Sequence, residues 1–221
     1  RCLVGSEMCI RDRINNWKEN TVYISLMQLT LLGVNFFLIT IISKEYGAEI
    51  YGEYAASKSL SVLIGTATVL SLALVVTKLR AQNVDFKNSL FTNSYYLVLG
   101  NLFIALTVIF PLTILFGRDY SLTAIFLIGF VFNEMIHIAL AYFQADGNFV
   151  ITSKQIIVRT IFYGFGAWLI VSNGHPIIWV VIYQSAILFI FFWVAHFYLP
   201  NNDKLTDPNV DTVSYTHLTL P

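Results

Sequence analysis

The chain has 221 residues, 57% hydrophobic and 12% charged, with 13 basic side chains balancing 13 acidic ones. A soluble domain is nearer about 45–50% apolar, and here the excess stands in long uncharged blocks, the mark of an integral membrane protein. Balanced charge argues against a nucleic-acid-binding surface.

The two ends share one origin. Glu7–Asp12 can be encoded GAG ATG TGT ATA AGA GAC, and the reverse complement of that string translates to Val-Ser-Tyr-Thr-His-Leu, which is Val213–Leu218. One DNA element read on opposite strands accounts for both, and it resembles the transposase end sequence of a DNA-sequencing library. Residues 1–13 and 213–221 are therefore read as adapter-like scars and set aside. Residues 14–199 form the membrane unit, and 200–212 a polar linker. Without the scars, Arg1, Arg11 and Arg13 leave the basic count and Glu7 and Asp12 the acidic one, giving 10 against 11. Both cysteines, Cys2 and Cys9, leave as well, so no disulfide, thiolate chemistry or Cys-ligated metal is argued. The remaining stretch is expected to be a fragment open at both ends.

Ile14–Asn20 is a polar lead with Trp17 and Lys18, suited to a membrane interface. Val22–Ser43 carries no charge and is long enough to cross a bilayer core of about 30 Å. Its polar residues Gln28 and Asn35 are seven apart and share a face, either for interhelical hydrogen bonds or to line a cavity. Lys44–Tyr54 reads as an exposed turn, with Gly47 and Gly52 among charges. The second helix is expected over Ser57–Thr77, where Ser57, Ser61 and Gly65 make a small-residue stripe for close helix approach. Lys78, Arg80 and Lys87 follow in a polar connection.

The third helix is expected over Asn93–Leu115, interrupted by Asn101 and kinked at Pro111. The fourth, Leu122–Gln144, carries Glu134 and His137 on one face. A carboxyl at membrane depth is expensive, so Glu134 has either a coupling or substrate role or a packed, hydrogen-bonded one. His137 reads as a hydrogen-bonding partner or a ligand, and the pair makes no metal site without further donors. After the turn Asp146–Asn148, Lys154 and Arg159 lead into a fifth helix over Gln155–Val171. Arg159 shares a face with Tyr163 and Gly166, and either snorkels to the interface or points into a cavity. Asn173–Pro176 is a turn, and the sixth helix is expected over Ile177–Leu199.

The fold class is therefore all-α and integral to a membrane, a bundle of six transmembrane helices. Lys18, Lys78, Arg80, Lys87, Lys154, Arg159 and Lys204 fall on one side, Lys44, Lys58 and Arg118 on the other. That bias places the N-terminus in the cytoplasm.

With the helices placed, Ile41–Lys58 resembles the first-loop signature of the polysaccharide-biosynthesis flippases. These are Wzx-type O-antigen transporters of the multidrug/oligosaccharidyl-lipid/polysaccharide exporter superfamily. The family's Gly-x-x-x-Tyr-Gly is met by Gly47, Tyr51 and Gly52, and Phe143–Phe149 is similar to its Gln-Gly-x-x-Phe element, with Asp146-Gly147 a departure. The resemblance implies the amino-terminal lobe of a MATE-like, two-lobe transporter in the bacterial inner membrane. It implies movement of undecaprenyl-pyrophosphate-linked glycans by alternating access, with no covalent bond made, no enzyme activity and no cofactor. The expected partners are the lipid-linked oligosaccharide, membrane lipids and a coupling H+ or Na+.

Residue type and depth then suggest roles. Lys44, Lys58 and Arg159 would meet the pyrophosphate. Gln28, Asn35 and Asn101 would meet the sugars. Glu134, with His137, would couple an ion gradient. A cation-coupled multidrug exporter of the same fold is the nearest rival and predicts an acidic cavity. A membrane-embedded polysaccharide-processing enzyme needs acid/base residues on a sizeable surface loop, and no loop here is long enough.

Overall fold

The computed structural model describes residues 6–69, 72–81, 89–116, 120–145 and 148–198. All of its regular elements are helices: α1 (Ser6–Val69), α2 (Leu72–Ala81), α3 (Ser89–Phe116), α4 (Ser121–Ala145), α5 (Phe149–Ser172) and α6 (Ile177–Tyr198). Four helical stretches among the described residues are long and apolar enough to cross a membrane: Glu19–Thr66, Ser121–Ala145, Phe149–Ser172 and Ile177–Phe197. The outward faces agree with that. Leu29, Leu32 and Phe36 are 66%, 67% and 73% exposed on α1, a surface that suits lipid rather than water. The chain is thus an all-helical, multi-pass protein.

The first helix corrects the expected turn at Lys44–Tyr54. Those residues stay helical, and the break is confined to Gly47, at φ 82° and ψ 172°. Positive φ is open to glycine without the Cβ clash that other residues meet, so one residue does the work assigned to a loop. The two arms fold back on each other. Asn35, before the break, and Lys58, after it, line one cavity. On a straight helix they would stand about 35 Å apart, at 1.5 Å per residue. The bend is tied to the turn between α5 and α6, where the Tyr46 hydroxyl donates to the His175 carbonyl. Gly174 takes positive φ in that same turn.

The second apolar block is also divided differently. Its first part belongs to α1 and its remainder to α2, with residues 70 and 71 outside the described set. The small-residue stripe meets α4. Ser61 donates to the Thr123 carbonyl at 2.8 Å, and a Cβ on Gly65 would come within 2.2 Å of the Phe130 ring. The third helix runs through Pro111 without leaving α3. The fifth begins at Phe149, not Gln155, because Asn148 caps it: its Oδ1 accepts from the Ile151 amide at 3.4 Å. Lys154 and Arg159 are therefore helix residues rather than loop ones. Lys87, Arg118, the turn residues Asp146 and Gly147, the linker and the C-terminal scar lie outside the described residues. At the other end, α1 is already helical at Ser6, within the stretch set aside as a scar.

The fourth helix holds the bundle together. Leu127, Val131, Met135 and Ile138 are almost wholly buried and fall at helical spacing on one face. It packs against α1, α2, α3 and α6, while α5 lies against α1 and α6. One apolar cluster joins α4 to α2, α3 and the later part of α6. A second joins Leu38, Ile42 and Tyr54 of α1 to Ala167 and Val171 of α5 and Val180 and Val181 of α6.

Candidate functional site: a basic cavity between four helices

A cavity of about 280 Å³ opens where both arms of α1 meet the middles of α4, α5 and α6. Its walls are apolar where Leu31, Val34, Phe126 and Leu188 face it, and polar where Asn35, Lys58, Asn133, Arg159, Tyr163 and Gln184 do. Among the described residues two cations and no carboxylate line it.

The local hydrogen bonds decide which polar groups are spent and which are free. Ser61 and Ser185 approach α4 from opposite sides and donate to the carbonyls of Thr123 and Ile125, at 2.8 and 2.9 Å. Those hydroxyls pin helices. Asn133 donates from Nδ2 to Glu134 Oε1 at 3.3 Å, so its amide nitrogen is turned to its neighbour. Tyr54 lies edge-on to Phe126, with ring centres 5.1 Å apart, and donates its hydroxyl to Gln184 Oε1 at 3.1 Å. That bond fixes the Gln184 amide and leaves its Nε2 buried with no acceptor. Arg159 is 7% exposed, its Nη1 likewise has no hydrogen-bond partner, and the Glu134 carboxylate acts on it electrostatically.

The site therefore has surplus donors. Arg159 Nη1 and Gln184 Nε2 are both buried, both unsatisfied and both on residues that line the same cavity. Lys58 adds a half-buried ammonium to the same walls. The Glu134 carboxylate acts electrostatically on the same guanidinium from outside the lining, and Arg159 Nη1 and Gln184 Nε2 remain donors that an acceptor-rich group can satisfy. Nothing in the lining has the nucleophile–base pairing of covalent catalysis, and no group of three metal-ligating side chains occurs among the described residues.

Of the residues given binding or coupling roles from the sequence, the fold brings Lys58, Arg159 and Asn35 to this cavity and does not bring the others. Lys44 is exposed on α1 near the Gly47 bend, and Gln28 is exposed on the first arm. Asn101 is half-buried on α3. Glu134 and His137 are half-buried on α4 and stand outside the lining, with Glu134 one residue behind Asn133. Asn133 and Gln184 line the cavity as well and are not among the residues expected from the sequence. Gln184 had a legible signal, as an amide in the middle of the apolar run Ile177–Ala195. Asn133 was masked by the more conspicuous carboxyl beside it.

No family model matches the chain, and neither a curated protein nor a solved structure matches it significantly.

Proposed function

We propose that this chain is the amino-terminal lobe of a flippase for undecaprenyl-pyrophosphate-linked oligosaccharides in the bacterial inner membrane. The observation that carries the reading is the cavity with Lys58 and Arg159 on its walls, no carboxylate lining it among the described residues, and two buried donors without acceptors. A pyrophosphate supplies the charge and the acceptor oxygens such a site needs. Asn35, Asn133 and Gln184 offer amides to sugar hydroxyls around it. The Gly-x-x-x-Tyr-Gly resemblance gains support from the bend at Gly47, since that motif's first glycine is the residue with positive φ. The cation-exporter alternative calls for an acidic cavity, and the lining here is basic.

Transport by alternating access needs a second wall to rock against. In this reading it comes from the other lobe, and Glu134, behind the cavity, links an ion gradient to the movement. Orientation follows the positive charge. The Lys and Arg bias of the sequence puts the N-terminus in the cytoplasm in this reading. The lipid is moved unchanged, so the chain is not an enzyme.

The test is ligand binding by the purified chain in lipid nanodiscs, followed by native mass spectrometry. Undecaprenyl pyrophosphate is expected to bind, undecaprenol not to bind, and a lipophilic cation not to compete. Retention of the cation in preference to the pyrophosphate lipid would overturn the proposal in favour of the exporter.

A further inference from the structure

A second cavity, also about 280 Å³, lies between the end of α4, the start of α5 and the end of α6. It is separate in lining from the basic cavity. Leu140, Phe143, Val158, Phe191 and Val194 make it an apolar slot. At one edge stands Lys154, exposed and five residues into α5, about 8 Å from the helix start. Its Nζ lies 5.2 Å from the centre of the Tyr23 ring of α1, and among the described residues no carboxylate pairs with it. Beside it Gln155 donates from Nε2 to the Phe191 carbonyl at 3.4 Å, and its Oε1 is buried with no donor.

This slot combines three features: apolar walls, an ammonium at its edge, and an unsatisfied acceptor on the residue that follows that lysine. We infer that the slot between α4, α5 and α6 is a site for an anionic glycerophospholipid with a hydroxylated headgroup, such as phosphatidylglycerol. The acyl chain occupies the slot, the phosphate meets Lys154, and a headgroup hydroxyl donates to Gln155 Oε1. An ammonium on a flexible stem reaches the headgroup level from within the first turns of a helix by snorkelling. The Tyr23 ring positions the lysine without neutralising it. A neutral zwitterionic lipid fits the walls equally well and lacks the net charge that Lys154 selects. The inference needs the chain to be in a bilayer and does not depend on what the basic cavity carries.

The experiment uses the whole chain in phosphatidylcholine vesicles doped with a photoactivatable phosphatidylglycerol, its diazirine near the end of one acyl chain. A matched phosphatidylcholine probe at the same mole fraction is the comparison. Cross-linked peptides are mapped by mass spectrometry. Labelling is expected to concentrate on the segments holding Leu140–Phe143 and Phe191–Val194, with the anionic probe about fivefold ahead of the neutral one, as one lysine near the surface warrants. Lys154→Gln is expected to bring the two probes level. Val158→Trp, which fills the slot and leaves Lys154 in place, is expected to remove the label from both segments. Equal labelling by both probes in the unsubstituted chain would overturn the site. So would label spread evenly over other outward side chains such as Phe103 and Phe165, or loss of the label to millimolar glycerol phosphate, which would make the ligand a soluble ester.

Discussion

Substituting Arg159 by glutamine separates a ligand-binding role from a structural one, because the two roles predict different effects on the fold. The guanidinium is buried, with Nη1 unpartnered, and Glu134 acts on it electrostatically from outside the lining. If it serves packing, its removal leaves a void and stability falls. If it serves an anion, Arg159→Gln removes a buried charge that Glu134 offsets only in part, and the empty protein holds its stability. Binding then weakens. Two unit charges 4 Å apart interact by about 1 kcal/mol in water and about 4 kcal/mol at the effective dielectric typical of proteins. A charge-assisted hydrogen bond contributes about 1.5–3 kcal/mol, inside that bracket. Taking about 2–3 kcal/mol, the affinity for undecaprenyl pyrophosphate drops about 30- to 150-fold. Titration of the nanodisc-embedded variant by native mass spectrometry reads the affinity, and thermal unfolding in the same nanodiscs reads the fold. Unchanged affinity with unchanged stability would refute the anion site. A fall in melting temperature with no ligand present would show that Arg159 serves packing.

Three further outcomes follow from the geometry. In the proposed reading Glu134→Gln impairs glycan export at equal expression without weakening pyrophosphate-lipid binding, because Glu134 stands outside the cavity lining and its charge opposes that of the lipid at Arg159; normal export would remove it from the coupling step. Gly65→Leu is expected to destabilise the bundle by about 1–3 kcal/mol, the usual cost of overpacking, because a Cβ there already reaches within 2.2 Å of the Phe130 ring; an unaltered thermal transition would show that α1 and α4 do not meet at that level. Gly47→Ala forces a side chain into positive φ and is expected to cost about 1–2 kcal/mol, visible as increased protease cleavage near Tyr46, and wild-type resistance would place the bend elsewhere.

Much of this molecule is carried by local pattern. Uncharged runs of bilayer length gave the all-helical, membrane-crossing class, and the helices from α3 onward lie close to the expected spans. The exceptions have particular causes. Gly47 is legible as special, but its neighbours' charges read as a loop, whereas the helix resumes directly after one positive-φ residue. Lys154 and Arg159 read as loop cations and put the start of α5 at Gln155, whereas the Asn148 cap starts the helix at Phe149. Lys58 likewise carries a charge that, taken alone and without a fold, reads first as a solvated interfacial residue.

The sequence by itself determined the class, the approximate helices and a short set of polar residues at membrane depth. It did so because burial in lipid and helix periodicity are properties of one segment at a time. Only the tertiary structure decided which of those residues meet. Asn35, Lys58, Arg159 and Gln184 come from both arms of α1, from α5 and from α6, and they converge because Gly47 folds α1 back and α4 fills the space between its neighbours. Whether a polar group is spent or free is also a property of the assembled bundle. Ser61 and Ser185 are satisfied by α4 carbonyls, while Arg159 and Gln184 keep buried donors without acceptors, and no segment alone contains both partners of such a bond.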